Sequence, residues 1–229
     1  MNEENFSSQG RLLLNFYSQM AEGGYTRTSG EEVNNAFSDF ELRKFRNVAK
    51  TFFETNEVKT VLDYGSGGSD WEMEGFDLES GNSAMQYFNL EQVFNYEPAR
   101  QRDLVTAADC VTCIDVMEHI FMSDVPAVLR DIFANANKAV MLNIACYPAA
   151  ALLPNGENAH ITVRDPLWWK GILDMVSMEF PKVSVMLICS VTYSSGVIFS
   201  PWRSMDWLAS QSLIIPPPQG IPFGDTPAP

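Results

Sequence analysis

Basic residues are scarce in this chain. It has 15 Lys and Arg against 29 Asp and Glu among its 229 residues, so its formal net charge is −14. Proteins that follow the phosphates of nucleic acids do so mainly through Lys and Arg contacts. The charge balance therefore argues against a nucleic-acid partner and favours a small molecule or sugar.

Long apolar runs are absent as well. No stretch approaches the roughly 20 consecutive apolar residues that a membrane-spanning helix needs. The first residues, MNEENF, include acids where a signal peptide carries positive charge. We therefore expect no membrane partner and a cytoplasmic location.

Cysteine is limited to four residues. Cys110 and Cys113 form a CxxC pair, which is weak evidence for a metal or redox site when no second pair accompanies it. Both lie in an apolar run that we expect to be a strand, where residues three apart point to opposite faces. We predict buried, reduced thiols.

The central part of the chain alternates between two patterns. From Thr60 to about Ser200, short apolar runs alternate with segments of helical periodicity. This alternation predicts a parallel sheet covered by helices on both faces. The last two predicted strands are separated by only a short turn and must be antiparallel. The expected fold is α/β, a Rossmann-like doubly wound, mostly parallel sheet with an antiparallel last strand.

Two flanking segments complete the predicted organisation. Residues 1–58 contain two segments of helical periodicity and form an N-terminal helical cap of the same domain, with Ser38 or Asp39 as the cap of the second helix. Residues 59–204 form the core. Residues 205–229 are rich in proline and are predicted to be an extended arm or a disordered end.

A glycine-rich loop follows the first predicted strand, Thr60–Tyr64. The stretch Gly65–Gly68 has three glycines in four positions, and such a loop lies at the carboxyl edge of a parallel sheet, where open α/β folds bind ligands. Dinucleotide-binding proteins hold pyrophosphate there with GxGxxG. Here Asp70 occupies the place of the third glycine, and an acid is unfavourable beside pyrophosphate. Asp63, just before the loop, indicates instead a ligand with a cationic amine.

Three segments resemble the class I S-adenosylmethionine-dependent methyltransferases. The run Asp63-Tyr-Gly-Ser-Gly67 is similar to their first motif, an acid followed by x-Gly-x-Gly. Glu97 stands at the end of the second predicted strand, where this family has an acid. The segment Asp115-Val-Met-Glu-His-Ile120 is similar to the family's D-V-L-E-H-I segment. The resemblance extends over roughly Thr60 to Ser200.

The resemblance implies a set of cofactor contacts. Residues expected to bind S-adenosylmethionine are Asp63, Tyr64, Gly65, Ser66, Gly67, Glu97 and Asp115. Glu97 would take the ribose hydroxyls, and Tyr17 and Met20 would close over the cofactor from the N-terminal helix. Between Glu97 and Asp109 there is little room for the family's third strand, so Asp103 is a weak candidate for its adenine-contacting acid.

The chain has only two histidines, His119 and His160. Asp115, Glu118 and His119 are spaced i, i+3 and i+4, which places them on one face if a helical turn begins there. His160 lies in the loop after the fifth predicted strand. Two carboxylates and two imidazoles are suitable ligands for Mg, Mn or Zn.

This pattern is similar to the acid-x-x-Glu-His motif, with a distant His, of small-RNA 2′-O-methyltransferases and ubiquinone-pathway O-methyltransferases. The resemblance implies a divalent cation, held by Asp115, Glu118, His119 and His160, that binds the acceptor oxygen. Alternatives remain open at this point: His119 as a general base or substrate contact, a purely structural role, and Asp115 as a ligand contact instead of a metal ligand.

The leading functional hypothesis is O-methyl transfer from S-adenosylmethionine to a small molecule or sugar, with His119, His160 and Asp115 as catalytic residues. A second hypothesis is a non-catalytic S-adenosylmethionine-binding regulatory module. A third is a nicotinamide-dependent oxidoreductase, against which Asp63 and Asp70 argue.

Overall fold

The computed structural model describes residues 6–34, 41–102, 105–203 and 212–215. Three sequence predictions lie outside these ranges: the helix caps Ser38 and Asp39, the adenine-contact candidate Asp103, and most of the proline-rich segment. The helices are α1 (Ser8–Gly23), α2 (Arg46–Thr55), α3 (Ala84–Phe88), α4 (Val125–Ala134) and α5 (Pro166–Ser177). Short 3₁₀ helices span Glu41–Phe45, Pro98–Arg100 and Met117–His119. The strands are β1 (Tyr25–Thr26), β2 (Glu32–Val33), β3 (Thr60–Tyr64), β4 (Gln92–Tyr96), β5 (Ala108–Ile114), β6 (Ala136–Ala145), β7 (Ser184–Thr192), β8 (Ser195–Arg203) and β9 (Ser212–Ile215).

Seven of these strands form one sheet in the order β4-β3-β5-β6-β7-β8-β9. The first five are parallel, whereas β8 runs antiparallel to β7, and β9 runs antiparallel to β8. The predicted α/β, Rossmann-like, mostly parallel sheet with an antiparallel end is confirmed. None of the described helices combines the length and the apolar character needed to cross a membrane.

The sheet has a hydrophobic core on each face. Cys110 of β5 packs on one face in a cluster that includes Phe52 of α2. Cys113 packs on the other face in a cluster that includes Leu129 of α4. Both thiols are free and buried. The prediction that they point to opposite faces as reduced thiols is confirmed.

The polar stretch after α1 contains a small hairpin that the sequence did not predict. Strands β1 and β2 pair antiparallel, and the hairpin continues onto the loop after β6 through an isolated bridge between Arg27 and Ala151. The start of α1 is held by Asp124, whose carboxylate accepts the Ser7 N–H at 3.0 Å and the Ser7 hydroxyl at 2.7 Å. These contacts fix the N-terminal segment against the loops at the carboxyl edge of the sheet.

The segment predicted to be a proline-rich tail contributes a strand. Ser212–Ile215 forms β9, which pairs with β8. The Leu-Ile-Ile sequence in this strand has high β propensity, and the unpaired edge of β8 offers it hydrogen-bonding partners. No strand lies between β4 and β5 in the described part of the chain, in agreement with the short predicted spacing there.

The glycine loop makes a tight turn after β3. Gly65 has φ +79°, and a Cβ placed on it would lie 2.5 Å from Cγ2 of Val116, just after β5. The N–H groups of Gly65 and Ser66 both donate to the carbonyl of Tyr96, at 2.8 and 3.1 Å. The backbone of this loop therefore fits closely between the ends of β4 and β5.

Replacement of Gly65 by alanine tests this close fit. Left-handed backbone costs an L-residue about 1–2 kcal/mol, and the clash with Val116 adds about 1–3 kcal/mol of overpacking. Gly75→Ala is the matched control, because Gly75 has φ +82° but open space at its Cβ position. In urea unfolding, Gly65→Ala should lose clearly more free energy of unfolding than Gly75→Ala, and equal losses would contradict the packing argument.

Candidate functional site

A cavity of about 1080 Å³ opens at the carboxyl edge of β3 and β5. This is the position at which strand order reverses in the sheet, the usual ligand crevice of open α/β folds. Its volume is close to that of small-molecule sites, about 300–1,000 Å³. Helix α1, the loop after β6 and the β7–β8 turn form its walls. Polar residues that line it include Asp63, Glu97, Asp115, His119 and His160.

Asp63 is a buried acid at one end of the cavity, with 4% of its surface exposed. It accepts hydrogen bonds from the indole N–H of Trp71 at 2.8 Å and from the hydroxyl of Thr112 at 3.1 Å. Burial raises the pKa of Asp63 to about 6, although both hydrogen bonds oppose the shift. A cationic group near Asp63 would stabilise its ionised form.

The carboxylate of Glu97 binds the backbone of the glycine loop. Its carboxylate accepts the N–H of Gly67 at 2.7 Å and the N–H of Ala99 at 3.1 Å. Burial nevertheless raises its pKa. The hydroxyl of Ser66, which lines the same end of the cavity, is buried and has no hydrogen-bond partner among the described residues. The Ser66 hydroxyl is therefore uncommitted within the described part of the chain.

The side chain of Tyr64 makes contacts within the core. Its hydroxyl donates to Asp131 of α4 at 2.8 Å, and its ring packs against Tyr96 with 4.6 Å between ring centroids. The predicted cofactor contact of Tyr64 would therefore come from its backbone, since the side chain is anchored in the core.

At the other end of the cavity, the predicted helical face is not formed. Asp115 has φ +59° and donates its N–H to the carbonyl of Asn143 at 3.0 Å. The helical turn begins only at Met117. The condition for the i, i+3, i+4 arrangement, a helical turn that begins at Asp115, is therefore not met, because a left-handed residue separates the strand from the turn.

Asp115 and Glu118 are nevertheless neighbours. Glu118 is fully buried, and its Oε1 accepts the N–H of Ala145 at 2.7 Å. Its Oε2 has no hydrogen-bond partner among the described residues. The two carboxyl groups are close enough to influence each other's pKa.

The pKa values of the two acids shift in opposite directions. Burial, and then the charge of Asp115, raise the pKa of Glu118 well above its usual range. Burial also acts to raise the pKa of Asp115, but the interactions with Glu118, the two histidines and Lys44 together outweigh it, and the pKa of Asp115 is lowered. Asp115 is therefore the more acidic member of the pair.

The two imidazoles lie beside this acid pair. The rings of His119 and His160 meet edge to face, with 4.7 Å between their centroids. Nδ1 of His160 lies 2.5 Å from the carbonyl oxygen of Tyr147, and Nδ1 of His119 lies 3.1 Å from that of Ala159. Burial lowers the pKa of His160, and burial followed by the charge of His160 lowers the pKa of His119 to about 4. Both rings are uncharged at neutral pH.

Three of the four predicted metal ligands form a group. Glu118, His119 and His160 each offer one ligand atom, and these atoms all lie within 4.8 Å of one another. Asp115 does not belong to this group but contacts it through Glu118. Two imidazoles and a carboxylate suit zinc or manganese, and the unpartnered Oε2 of Glu118 fits a position next to a cation.

Several contributors to the site were not predicted from the sequence. Thr112 is the polar residue opposite Asp63 in the β3–β5 pairing, a signal that becomes visible once the strand register is known. Trp71 had no recognisable pattern. Tyr147 and Ala159 act through backbone carbonyls, which side-chain motifs cannot reveal.

No protein-family model, curated protein or solved structure matches this chain. The functional argument therefore depends on the residues and geometry of the cavity.

The raised pKa of Asp63 has a consequence for stability. The folded protein binds this proton more tightly than the unfolded chain, so the free energy of unfolding falls as pH rises from about 4 to about 6. The rise of the Asp63 pKa from about 4 to about 6 corresponds to about 3 kcal/mol of unfolding free energy. Asp63→Asn should abolish this component, and its stability relative to the parent should rise across that window, as measured by urea unfolding between pH 4 and 7.

Asp109→Asn provides the opposite case. Burial opposes the change, but hydrogen bonds, first that from the Lys59 N–H, lower the pKa of Asp109, so its stabilising effect is present above the pKa of the unfolded chain. The Asp109 variant should lose stability relative to the parent as pH rises. Parallel profiles for the two variants would contradict the account of Asp63.

Proposed function

We propose that this protein is an S-adenosylmethionine-dependent methyltransferase that methylates a hydroxyl oxygen of a small molecule or sugar. One observation carries the proposal. A single cavity joins a glycine-rich loop over a buried acid, Asp63, to a cluster of Glu118, His119 and His160. The first end suits a cationic cofactor, and the second end suits the activation of a hydroxyl.

The cofactor end supports the proposal through charge and space. S-Adenosylmethionine carries a sulfonium and an ammonium, and Asp63 would become ionised beside a cation. Gly65 and Gly67 leave the loop backbone open to close approach. The free hydroxyl of Ser66 and the carboxylate of Glu97 supply hydrogen-bonding groups for the ribose and amino-acid portions of the cofactor.

The cluster end supports O-methyl transfer. A hydroxyl is a weak nucleophile at neutral pH, and an uncharged imidazole is able to accept its proton as the methyl group is transferred. When bound by Glu118, His119 and His160, a divalent cation would lower the pKa of the acceptor hydroxyl. The negative charge of Asp115 would stabilise the histidine that receives the proton.

Helix α1 supports the exclusion of water. Leu13 and Met20 are buried, and both line the cavity from this helix. Positioning of two reactants in such a site is worth about 7–11 kcal/mol of the barrier in favourable cases. The net charge of −14 disfavours a polyanionic acceptor, so we assign the acceptor to small molecules or sugars.

Calorimetry with S-adenosylhomocysteine, the product, tests the cofactor. We expect micromolar binding in metal-free buffer and at least a tenfold loss in Asp63→Ala. Asp109→Ala is the matched control, because Asp109 contacts the amino end of β3 through Lys59 and Thr60, away from the loop. Absence of binding at millimolar ligand would contradict the proposal, and preference for a nicotinamide cofactor would favour an oxidoreductase. Cofactor binding without methyl transfer to any tested hydroxyl compound would favour the regulatory module.

Titration of the metal-free protein with Zn²⁺ and Mn²⁺ tests the cation. We expect micromolar binding that weakens at least tenfold in Glu118→Gln, since removal of one carboxylate ligand leaves only two imidazoles. Glu41→Gln is the control, because Glu41 also lines the cavity but pairs with Lys44. If neither metal binds, proton transfer to a histidine remains as the means of activation.

A further inference from the structure

A hydroxyl from the N-terminal helix reaches the histidine pair. The Tyr17 hydroxyl oxygen lies 2.8 Å from Nδ1 of His119 and 2.7 Å from the carbonyl oxygen of Ala159. The same carbonyl lies 3.1 Å from Nδ1 of His119. These three atoms therefore form a triangle of mutual contacts, and the ring of Tyr17 packs edge to face on His119 with 5.2 Å between centroids.

The protons available to this triangle determine its arrangement. A carbonyl oxygen only accepts, and a tyrosine hydroxyl has a single proton to donate. The 2.7 Å contact between Tyr17 and the Ala159 carbonyl uses that proton. The contact between Tyr17 and His119 must then be donated by the imidazole, so Nδ1 of His119 carries hydrogen and its Nε2 carries a lone pair.

His160 reaches the same state by a simpler route. Its Nδ1 faces the carbonyl of Tyr147 and must donate to it. Within the described ranges, neither Nε2 atom has a hydrogen-bond partner. The two imidazoles thus share one tautomer, with both Nε2 lone pairs uncommitted.

We propose that Tyr17 is a positioning residue of this site: its hydroxyl, seated on the Ala159 carbonyl, holds His119 in the Nδ1–H tautomer so that Nε2 is free to bind a cation or accept a proton. The hydrogen bond made by one imidazole nitrogen sets the state of the other. The inference rests on the proposed function only for the identity of what Nε2 binds.

The contact between Tyr17 and His119 depends on the packing of α1 against the loop that contains Ala159. Leu13 and Met20 of this helix pack in a cluster with Leu153 and Ala159, so the helix is seated on the same loop whose carbonyl completes the triangle. Tyr17 reaches His119 only in this docked arrangement. The N-terminal helix therefore supplies a group to the histidine pair in addition to covering the cavity.

The experiment is imidazole ¹⁵N–¹H correlation spectroscopy of histidine-labelled protein at pH 7.5, where the two histidines give two resolvable ring patterns. In the parent protein both rings should show the Nδ1–H form. In Tyr17→Phe, which keeps the ring packing, His119 should shift to a mixture dominated by the Nε2–H form, while His160 stays unchanged. Tyr147→Phe is the matched control, because Tyr147 contacts His160 through its carbonyl and not its hydroxyl.

Two results would overturn the proposal. One is an Nε2–H pattern for His119 in the parent protein, which needs no variant to observe. The other is an unchanged His119 pattern in a folded Tyr17→Phe protein, which would assign the tautomer to Ala159 alone. Zn²⁺ affinity is a second, independent measurement, and Tyr17→Phe should weaken it about 10–100-fold. If the parent protein does not bind zinc, the proposed cation is contradicted, but the tautomer result still stands.

Discussion

The parallel pairing of β3 with β5 is the constraint on which the site depends. Asp63 is the register partner of Thr112, and both strands end at the same edge of the sheet. This pairing brings the Gly65 turn against Val116 and places the Asp115–His119 segment directly beside the glycine loop. The register of β3 and β5 therefore places the glycine loop and the Asp115–His119 segment side by side, and these two segments form the two ends of the cavity.

Most of the titratable groups in this cavity have pKa values that are shifted toward the uncharged form. Isolated ions are costly to bury, and the site responds with a raised pKa at Asp63 and Glu118 and lowered values at both histidines. Asp115 is the exception among these acids, because Glu118, the two histidines and Lys44 together lower its pKa despite burial. Such a site is able to bind positive charge at both ends. The Asp63 end suits a sulfonium cofactor, and the histidine end suits a metal ion or a proton taken from the acceptor.

The sequence was sufficient for the features that depend on local patterns. Strand β3 has the predicted bounds, Thr60–Tyr64, because a short apolar run next to turn residues is a strong local signal. The strand ends correctly located Asp63, Glu97 and Asp115 beside the cavity. The left-handed backbone of Asp115 and the β1–β2 hairpin were not predictable, since each is stabilised by residues distant in sequence. The carbonyl groups that orient the histidines leave no trace in side-chain composition.

Burial keeps the two histidines uncharged beside the acid pair, and the choice of orienting groups limits the effects that oppose it. A carboxylate on Nδ1 would favour the imidazolium, whereas a carbonyl accepts the same proton without adding a full charge. His160 has such a carbonyl to itself, at 2.5 Å. His119 shares its carbonyl at a longer 3.1 Å, a weaker bond at the edge of the usual range. Tyr17 compensates for this weakness by accepting from the same nitrogen while donating to the same oxygen. Its hydroxyl thereby fixes the Nδ1–H tautomer, while burial and the neighbouring His160 keep the ring uncharged beside Asp115.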